Sequence, residues 1–370
     1  MRRNFLSALP LALLVACSPS EEPVPGDGTP SAASAAAGGR MRVEGTCMGT
    51  TWSCVLELGP GQSAERALEL AQDVLDGVDR DLSTWKSESD LSRFNRAGAR
   101  EAVAVSPTTL AVLDLARTLH RETGAAFDPT VAPLVELWGF AARENPAAPT
   151  DAEVGAARGL LGFDEVEWSE AGALTKARAG IQLDASAIAK GYAVDLAADA
   201  LLEAGYGAFL LEVGGEVVTR GAKADGSLWN IGIEDPRVPE DPGERALATF
   251  AGRPALARLQ LTGRAVATSG DYRNVREVDG HVVAHAIDPR TGRPIDHATG
   301  SVTVVAADCG TADALATAAL VLGAEEGLAL LERLEGVEGL VLERDPAAED
   351  GLRWHTTSGF EALGFQRRED

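Results

Sequence analysis

The sequence predicts an α+β protein in which helices pack against mixed, largely antiparallel sheets. Apolar residues recur at helical spacing through residues 63–82, which indicates an amphipathic helix. Short strand-like runs separated by turn residues dominate residues 229–306, as is typical of antiparallel pairing. At residues 181–195 and 301–320 a strand-like run leads directly into a helical one. With 370 residues, 45% of them hydrophobic, the chain can bury a sizeable core in one large domain or two intimate ones.

The N-terminus has the composition of an export signal. Two arginines precede an apolar run at residues 5–15, and a small residue precedes Cys17, so we predict a signal peptide over residues 1–16. The letters Leu-Val-Ala-Cys resemble the bacterial lipobox, whose cysteine is diacylated; an ordinary signal with an incidental cysteine is the alternative. Residues 17–39 would then be the lipidated cysteine and a flexible tether, and residues 40–366 the folded domain. We expect an exported bacterial lipoprotein, anchored to a membrane and facing the periplasm or the cell exterior.

The charge balance bears on the class of ligand. The chain has 33 basic and 56 acidic residues, a formal charge of -23, and no cluster of Lys or Arg stands out. Nucleic acid is therefore excluded as a partner, because phosphate backbones need a basic face. A small anionic ligand must instead be held locally, by a metal ion, helix ends and a few cations. After residue 20 we expect no run long enough to cross a bilayer.

Three cysteines remain after the proposed anchor: Cys47, Cys54 and Cys309. An odd number leaves at least one thiol unpaired, and none of the three has metal-ligand spacing. A bridge between Cys47 and Cys54 across a bent strand pair stays open.

The remaining elements follow from local sequence. Prolines and Gly124 predict an ordered loop at residues 123–140. Gly214 and Gly215, after a buried strand, suit either the close approach of a ligand or a tight hairpin. In chain order we predict two strands joined around Gly49 (41–58), the helix at 63–82, a polar stretch with Trp85 and Phe94 (82–95), helices at 107–123 and 151–158, strands around Val166 and Ile181, a helix ending near Gly205, strands at 208–213, 229–234, 255–261, 265–269, 282–288 and 301–306, a charged excursion at 235–254, a helix from Asp308, a helix at 324–334, and strands at 339–343 and 352–355.

The first strand-to-helix junction is the stretch that organises the chain. After an apolar strand at residues 181–183, Asp184 and Ser186 can cap the next helix, and Lys190 lies one turn in. The free N–H groups and the positive end of such a helix favour an anion. The alternative is an ordinary capped helix whose lysine points into solvent.

The second junction and one histidine supply further candidates. Asp313 and Thr317 lie four residues apart on a predicted helix, so that their oxygens share one face. They suit a hard cation such as Mg²⁺, although helix capping is the alternative. His285, before an Asp-Pro-Arg-Thr-Gly turn, is a candidate for proton transfer near neutral pH; a purely structural role is the alternative.

Taken together, eight short motifs resemble the ApbE family of FAD:protein FMN transferases. They occur in the family's order and span residues 41 to about 365. The motifs are Met48-Gly49-Thr50, Leu82 to Trp85 with Ser89 and Asn95, Phe127 to Thr130 through Leu137 to Gly139, Asp184 to Asp195, Gly214 to Glu216, Ala267 to Tyr272, His285 to Gly292, and Asp313 to Thr317.

The resemblance implies a two-lobed body with FAD in a cleft, and the transfer of FMN from FAD to a threonine hydroxyl of a target protein with release of AMP. It implies FAD contacts at Met48, Trp85, Ala126, Phe127, Asp128, Asp184, Lys190 and Ile287. It implies a magnesium ion at Asp313, Thr317 and an oxygen of Ala187. For this reaction Lys190 and the ion would supply positive charge to the pyrophosphate, and His285 would either take the proton of the incoming threonine or orient the acceptor. Some relatives carry a second acid where this chain has Ala316, so one more water could complete the metal shell.

Two other functions stay open on the sequence. One is a magnesium-dependent FAD pyrophosphatase that gives free FMN and AMP, because water could replace the threonine. The other is a non-enzymatic FAD-binding lipoprotein, which would have no need of a metal and a base beside the pyrophosphate. As acceptors the resemblance suggests membrane-bound, flavin-carrying redox subunits or the flavin domains of exported reductases.

Overall fold

The computed structural model describes residues 31–32, 39–140, 147–237, 255–272, 275–278 and 281–368. The predicted signal peptide, Cys17, most of the tether and most of the 235–254 excursion lie outside the described residues.

The described residues form nineteen strands, seven α-helices and two short 3₁₀ helices, Phe163–Glu165 and Phe360–Leu363. The strands are β1 (Ser31–Ala32), β2 (Arg40–Cys47), β3 (Thr50–Glu57), β4 (Val103–Ala104), β5 (Val166–Trp168), β6 (Ala173–Lys176), β7 (Phe209–Val213), β8 (Glu216–Arg220), β9 (Trp229–Glu234), β10 (Ala255–Leu261), β11 (Ala265–Gly270), β12 (Val275–Val278), β13 (His281–Ala284), β14 (Ile287–Asp288), β15 (Arg293–Pro294), β16 (Thr299–Ala306), β17 (Glu338–Arg344), β18 (Leu352–Thr356) and β19 (Gln366–Arg367). The helices are α1 (Ala64–Leu82), α2 (Asp90–Arg96), α3 (Pro107–Glu122), α4 (Ala132–Leu137), α5 (Asp151–Arg158), α6 (Ala189–Glu203) and α7 (Cys309–Glu332).

A nine-stranded sheet forms the centre of the fold. Its strand order is β1-β2-β3-β7-β8-β11-β16-β17-β18, and each neighbouring pair among the described residues is antiparallel. Helices α1, α6 and α7 pack on one face and share its large apolar core. The small sheet β19-β10-β9 contributes to a second apolar core with Val217, Val266 and Val305 of the central sheet. The prediction of an α+β fold with antiparallel sheets is therefore confirmed.

Helix α7 corrects the expectation that no apolar run after residue 20 could span a bilayer. Its length and composition alone would allow it to cross a membrane. However, it packs against β11, β16 and α6, and most of its side chains are buried in the large core. Its hydrophobicity therefore reflects its position at the centre of the fold. A break at Gly323, where φ is +80°, divides it into the two helices that the sequence predicts.

The segment at residues 181–183 is not the strand that the sequence predicts. Ile181 and Leu183 are fully buried, yet side chains satisfy their backbone groups. The Asn95 amide donates to the Leu183 carbonyl (2.9 Å) and accepts from its N–H (2.7 Å), while Lys176 Nζ donates to the Ile181 carbonyl (2.8 Å). The apolar run therefore indicated burial correctly, but two polar side chains take the place of a neighbouring strand.

Three further elements differ from prediction. Helix α6 begins at Ala189 without a side-chain cap; the Asp184 carboxylate instead accepts from the N–H (2.8 Å) and hydroxyl (2.5 Å) of Ser186 in a local turn. The predicted strand at 282–288 is divided into β13 and β14. The loop at 123–140 contains the short helix α4, which tolerates Pro133 because a proline in the first turn removes no helical hydrogen bond.

The three cysteines of the folded domain are buried free thiols. Burial raises the pKa of Cys47 to about 12, with Asp79 and Asp76 adding to the effect, and raises that of Cys309 well above its usual range. The thiolate form is therefore suppressed, and the open possibility of a Cys47–Cys54 bridge is not realised in this structure.

Candidate active site

One deep cavity, of about 470 Å³, collects the predicted site residues. It lies where the starts of α6 and α7 meet the segment before α4 and the residues around β14. Its lining includes Trp85, Ala126, Phe127, Asp128, Asp184, Ala187, Lys190, His285, Ile287, Asp313 and Thr317. The segment before α6 and the strand-to-helix junction before α7 thus open into the same space.

Met48 is the exception among the predicted contacts. It lies in the turn between β2 and β3 with a positive φ of 47°, followed by Gly49 at φ 73°. Its side chain is half-buried and packs against the large core rather than lining the cavity. Its predicted contact with FAD stays a prediction.

Helices α6 and α7 meet at their first turns. The Gly191 N–H lies in the first turn of α6, where a helix offers no carbonyl to it, and it donates to Asp313 Oδ2 (3.1 Å). One turn later, the Asp195 carboxylate accepts from the N–H groups of Cys309 and Gly310, each at 2.8 Å. Each helix therefore supplies a carboxylate or an amide to the other, and this reciprocal contact fixes Asp313 beside the start of α6.

Asp195 is a structural acid that the sequence left without a role. Burial, its largest influence, raises its pKa to about 6, opposed by the two backbone N–H groups. A residue that links two helices across 114 positions has no local signature, so only the structure shows its function.

We expect this raised pKa to appear as a pH-dependent stability difference between the wild type and Asp195→Asn. Between pH 4 and pH 6 the native carboxyl keeps a proton that the unfolded chain releases, so the wild type loses stability as pH rises. One pKa unit corresponds to about 1.4 kcal/mol. Between pH 4 and pH 7 the free energy of unfolding of the asparagine variant should therefore rise by about 3 kcal/mol relative to that of the wild type. Urea unfolding of both proteins at several pH values measures the difference. A constant difference would contradict the assignment.

The segment that carries Asp184 is hydrogen-bonded to the opposite wall of the cavity. The Asp184 N–H donates to the Pro129 carbonyl (2.7 Å). On that wall, Asp128 Oδ1 accepts from the Thr130 N–H (2.7 Å) and hydroxyl (2.6 Å). Together with the Asn95 bonds, these contacts place two carboxylates, Asp128 and Asp184, at fixed positions on the cavity wall. Neither depends on a helix cap, which is the role the sequence suggested for Asp184.

Lys190 is paired with Glu216, a partner to which the sequence assigned no role. The ammonium donates to Glu216 Oε1 at 2.5 Å, and Glu216 is only 2% exposed. The acid opens β8 directly after the Gly214-Gly215 turn, which is the tight hairpin that the sequence gave as one of two alternatives. In the sequence, the feature that could have pointed to this partner was an acid directly after a pair of glycines. The pair holds the ammonium at the cavity wall.

Thr317 has a hydroxyl partner on the neighbouring sheet. Its Oγ1 lies 3.1 Å from Ser269 Oγ on β11, and both side chains line the cavity. The sequence placed Ser269 in a motif without assigning it a function. The contact orients Thr317 Oγ1 toward the same space as Asp313.

His285 lies between β13 and β14, half-buried in the cavity wall. Its ring packs edge-on against Phe140, with 6.4 Å between the ring centroids. The following residues are held by a turn in which Asp288 Oδ1 accepts from the Arg290 N–H (2.8 Å). The break in the predicted strand is what brings the imidazole to the cavity.

Trp85 lies at the mouth of the cavity with 84% of its surface exposed. Its loop is anchored by Ser89 and Ser92, whose hydroxyls donate to the Ser83 carbonyl at 2.5 and 3.3 Å. A large exposed ring on an anchored loop is suited to stacking on a planar group.

The donor set fits a magnesium ion shared with phosphates. Asp313 offers a carboxylate, Thr317 a hydroxyl and Ala187 a backbone carbonyl just before the start of α6. Within the described residues no three His, Cys, Asp or Glu side chains group as a metal site. Mg²⁺ commonly takes one or two carboxylates and completes its shell with water and substrate phosphates, so a single acid is sufficient.

The fold and the cavity define an α+β protein in which two helix starts, a lysine and hard oxygen donors enclose a site for a phosphorylated planar ligand. The chain belongs to the ApbE family: the family's sequence profile matches residues 48–341.

Transferase sequences and structures from other bacteria match most of this chain. A FAD:protein FMN transferase of Vibrio cholerae is 36% identical over 361 residues, covering 97% of this chain and 98% of the relative. One of Haemophilus influenzae is 34% identical, covering 87% and 91%. The structure of the flavin transferase ApbE from Vibrio cholerae matches with a TM-score of 0.75, 34% identity and coverage of 88% and 99%. That of Pseudomonas stutzeri flavinyl transferase ApbE matches at 0.76, 33% identity and coverage of 90% and 98%.

Proposed function

We propose that this protein transfers FMN from FAD to a threonine hydroxyl of a target protein and releases AMP. The observation that carries the proposal is the convergence of Asp313, Thr317 and Lys190 at two helix starts in one cavity. The transferase relatives, which match nearly the full chain, support the same reaction.

The reaction balances without a further co-reactant. The threonine oxygen forms a bond to the phosphorus on the FMN side of the pyrophosphate, and the bond from that phosphorus to the bridging oxygen breaks. AMP leaves with the bridging oxygen, and the threonine proton passes to a base. Such transfers depend mainly on positioning and on neutralising the charge that develops on the leaving phosphate.

Residues that line the cavity can be assigned to each part of this reaction. Lys190, held by Glu216, places a positive charge beside the pyrophosphate. Asp313, Thr317 and the Ala187 carbonyl would hold Mg²⁺, which when bound supplies further positive charge to the phosphate oxygens. The positive end of the α6 dipole also favours an anion at this point. Trp85 offers an exposed ring for the flat groups of FAD.

His285 is the proposed base for the threonine proton. It is the histidine in the cavity wall, and imidazole exchanges protons near neutral pH. We expect His285→Gln, like His285→Ala, to lower the rate of FMN transfer about 10²-fold. His355→Gln, a histidine bonded to Glu343 (2.7 Å) outside the cavity, is the control and should transfer normally. Intact transfer in the His285 variants would overturn the role.

A single incubation separates this function from the alternatives. The purified chain is mixed with FAD, MgCl₂ and a threonine-bearing flavin domain from an exported redox complex, and all products are identified by mass spectrometry. We expect AMP and a threonine that carries FMN in equal amounts. Free FMN with an unmodified acceptor would instead indicate a pyrophosphatase, and intact FAD a binding protein.

The membrane anchor is also a proposal, resting on the sequence at Cys17. We expect the mature chain to begin at a diacylated Cys17, with the tether holding the domain close to acceptors on an exported membrane surface. Cys17→Ser should move the protein from the membrane fraction to the soluble fraction while its transferase rate is unchanged. Membrane retention of the serine variant would contradict lipidation at this residue.

A further inference from the structure

Ser269 is a polar residue on an otherwise apolar face of β11. Side chains alternate between the two faces of a strand, so Ala265, Ala267 and Ser269 lie on the same face, toward α7. Ala265 and Ala267 are buried in the large core, whereas Ser269 is half-buried and lines the active-site cavity. The change from alanine to serine coincides with the point at which this face leaves the core and reaches the cavity.

The Thr317 hydroxyl points to this strand instead of to its own helix. Thr118 in α3 shows the arrangement that is common inside helices, because its hydroxyl donates to the carbonyl of Asp114, four residues earlier (3.2 Å). In α7, by contrast, Thr317 Oγ1 lies 3.1 Å from Ser269 Oγ. Among the residues that the structure describes, each of these two hydroxyls has only the other as a hydrogen-bond partner.

The two hydroxyls together have one more proton than their mutual hydrogen bond uses. Each can donate one proton, and the single bond between the oxygens takes one of the two. Both side chains line the cavity, so the remaining O–H is available to a ligand there. The direction of the bond between Ser269 and Thr317 decides which residue keeps that O–H.

A metal ion bound to Thr317 would set this direction. A hydroxyl binds a cation through a lone pair of its oxygen, so its proton has to be donated elsewhere. Ser269 Oγ, at 3.1 Å, is the acceptor within reach. The Ser269 proton is then the one that remains, next to the position of the phosphates that would share the ion.

We propose that Ser269 both positions Thr317 and binds substrate: its oxygen accepts the Thr317 proton, and its own hydroxyl donates to a pyrophosphate oxygen of FAD. A hydrogen bond from a hydroxyl to an anion is stronger than one between two neutral groups. The inference deepens the proposed function and rests on it. It also assigns a function to the motif at residues 267–272, which the transfer reaction otherwise leaves unused.

Binding measurements without acceptor protein test both parts of the proposal. Mn²⁺ alone is titrated by electron paramagnetic resonance, and ADP, which contains a pyrophosphate, is titrated by calorimetry in EDTA. Ser269→Ala removes the hydroxyl, Ser269→Thr keeps it, and Thr317→Val is prepared alone and together with Ser269→Ala. Thr303→Val is the control, because Thr303 forms a hydroxyl pair with Thr268 (2.9 Å) one position along the same two strands, on the opposite face.

The effect on the metal should depend on Thr317. Ser269→Ala should raise the Kd of Mn²⁺ about tenfold, because the Thr317 proton loses its acceptor, and Ser269→Thr should stay within about threefold of the wild type. In the Thr317→Val background, adding Ser269→Ala should change the Kd by less than about twofold, since no Thr317 hydroxyl remains to be oriented. An equal loss in both backgrounds, or none in either, overturns the positioning of Thr317.

The effect on the phosphate should persist without Thr317. In the Thr317→Val background, where Thr317 cannot donate instead, Ser269→Ala should raise the Kd of ADP about tenfold because a hydrogen bond to a charged group is lost. Thr303→Val should leave both Kd values within about twofold of the wild type. An unchanged Kd of ADP, or an equal rise in Thr303→Val, overturns the donation to phosphate. If the wild type gives these binding results but transfers no FMN, the proposed function fails and the assignment of Ser269 stands.

Discussion

Asp313→Asn should lower both AMP release and FMN transfer about 10³-fold. The carboxylate is the single anionic donor proposed for Mg²⁺. Its loss should weaken the binding of the ion and leave the charge on the leaving phosphate less neutralised. An asparagine oxygen can still accept from the Gly191 N–H, so the contact between the helices is preserved. The substitution therefore tests the charge without removing the structural bond.

Asp308→Asn is the matched control. Asp308 caps the same helix, with its carboxylate accepting from the Thr311 N–H (2.8 Å), but it does not line the cavity. Asparagine is as good a cap as aspartate, so stability and rate should both be retained. Rates measured over a range of MgCl₂ concentrations should show a higher half-saturating concentration only for Asp313→Asn. Equal rates in the two variants would remove Asp313 from the metal site.

Gly191→Ala should destabilise the protein by about 3 kcal/mol and abolish transfer. A methyl group at this position would lie 2.7 Å from the Cys309 carbonyl carbon and 2.8 Å from Asp313 Cβ, and closer still to the Cys309 carbonyl oxygen. These neighbours are backbone or the base of a side chain, so the helices must separate. In an ordinary helix the same change stabilises by up to about 1 kcal/mol, so the sign of the effect reports the contact.

Gly155→Ala is the control for the direction of this stability change. Gly155 lies within α5, and a methyl group there would meet no atom within 4 Å. Its replacement should be neutral or slightly stabilising in urea unfolding. If Gly191→Ala were equally well tolerated, the close approach of α6 and α7 would be wrong.

The sequence predicted best where the determinants are local. The spacing of apolar residues and the Ser63 cap, which accepts from the Arg66 N–H (3.1 Å), define α1, and the Gly214-Gly215 pair defines a hairpin. The buried segment at 181–183 was misread as a strand because side chains supply its hydrogen bonds: Asn95, 88 residues from Leu183, and Lys176, five residues from Ile181.

The same distinction applies to the candidate site. Motif resemblance placed Lys190, His285, Asp313 and Thr317, and the structure brings all four to one cavity. Their partners were not predictable, because Glu216 is 26 residues from Lys190 along the chain and Ser269 is 48 from Thr317. Long-range pairs of this kind arise from the sheet and helix packing, which no local pattern encodes.

The most direct test of the account is a crystal structure of the protein with FAD and Mn²⁺, a magnesium substitute that anomalous scattering locates. We expect one anomalous peak about 2.1 Å from the Asp313 carboxylate, Thr317 Oγ1 and the Ala187 carbonyl, with both phosphates of FAD beside it and Lys190 on the other side. Bound FAD with the metal at other residues, or with the pyrophosphate away from the junction of α6 and α7, would contradict the account.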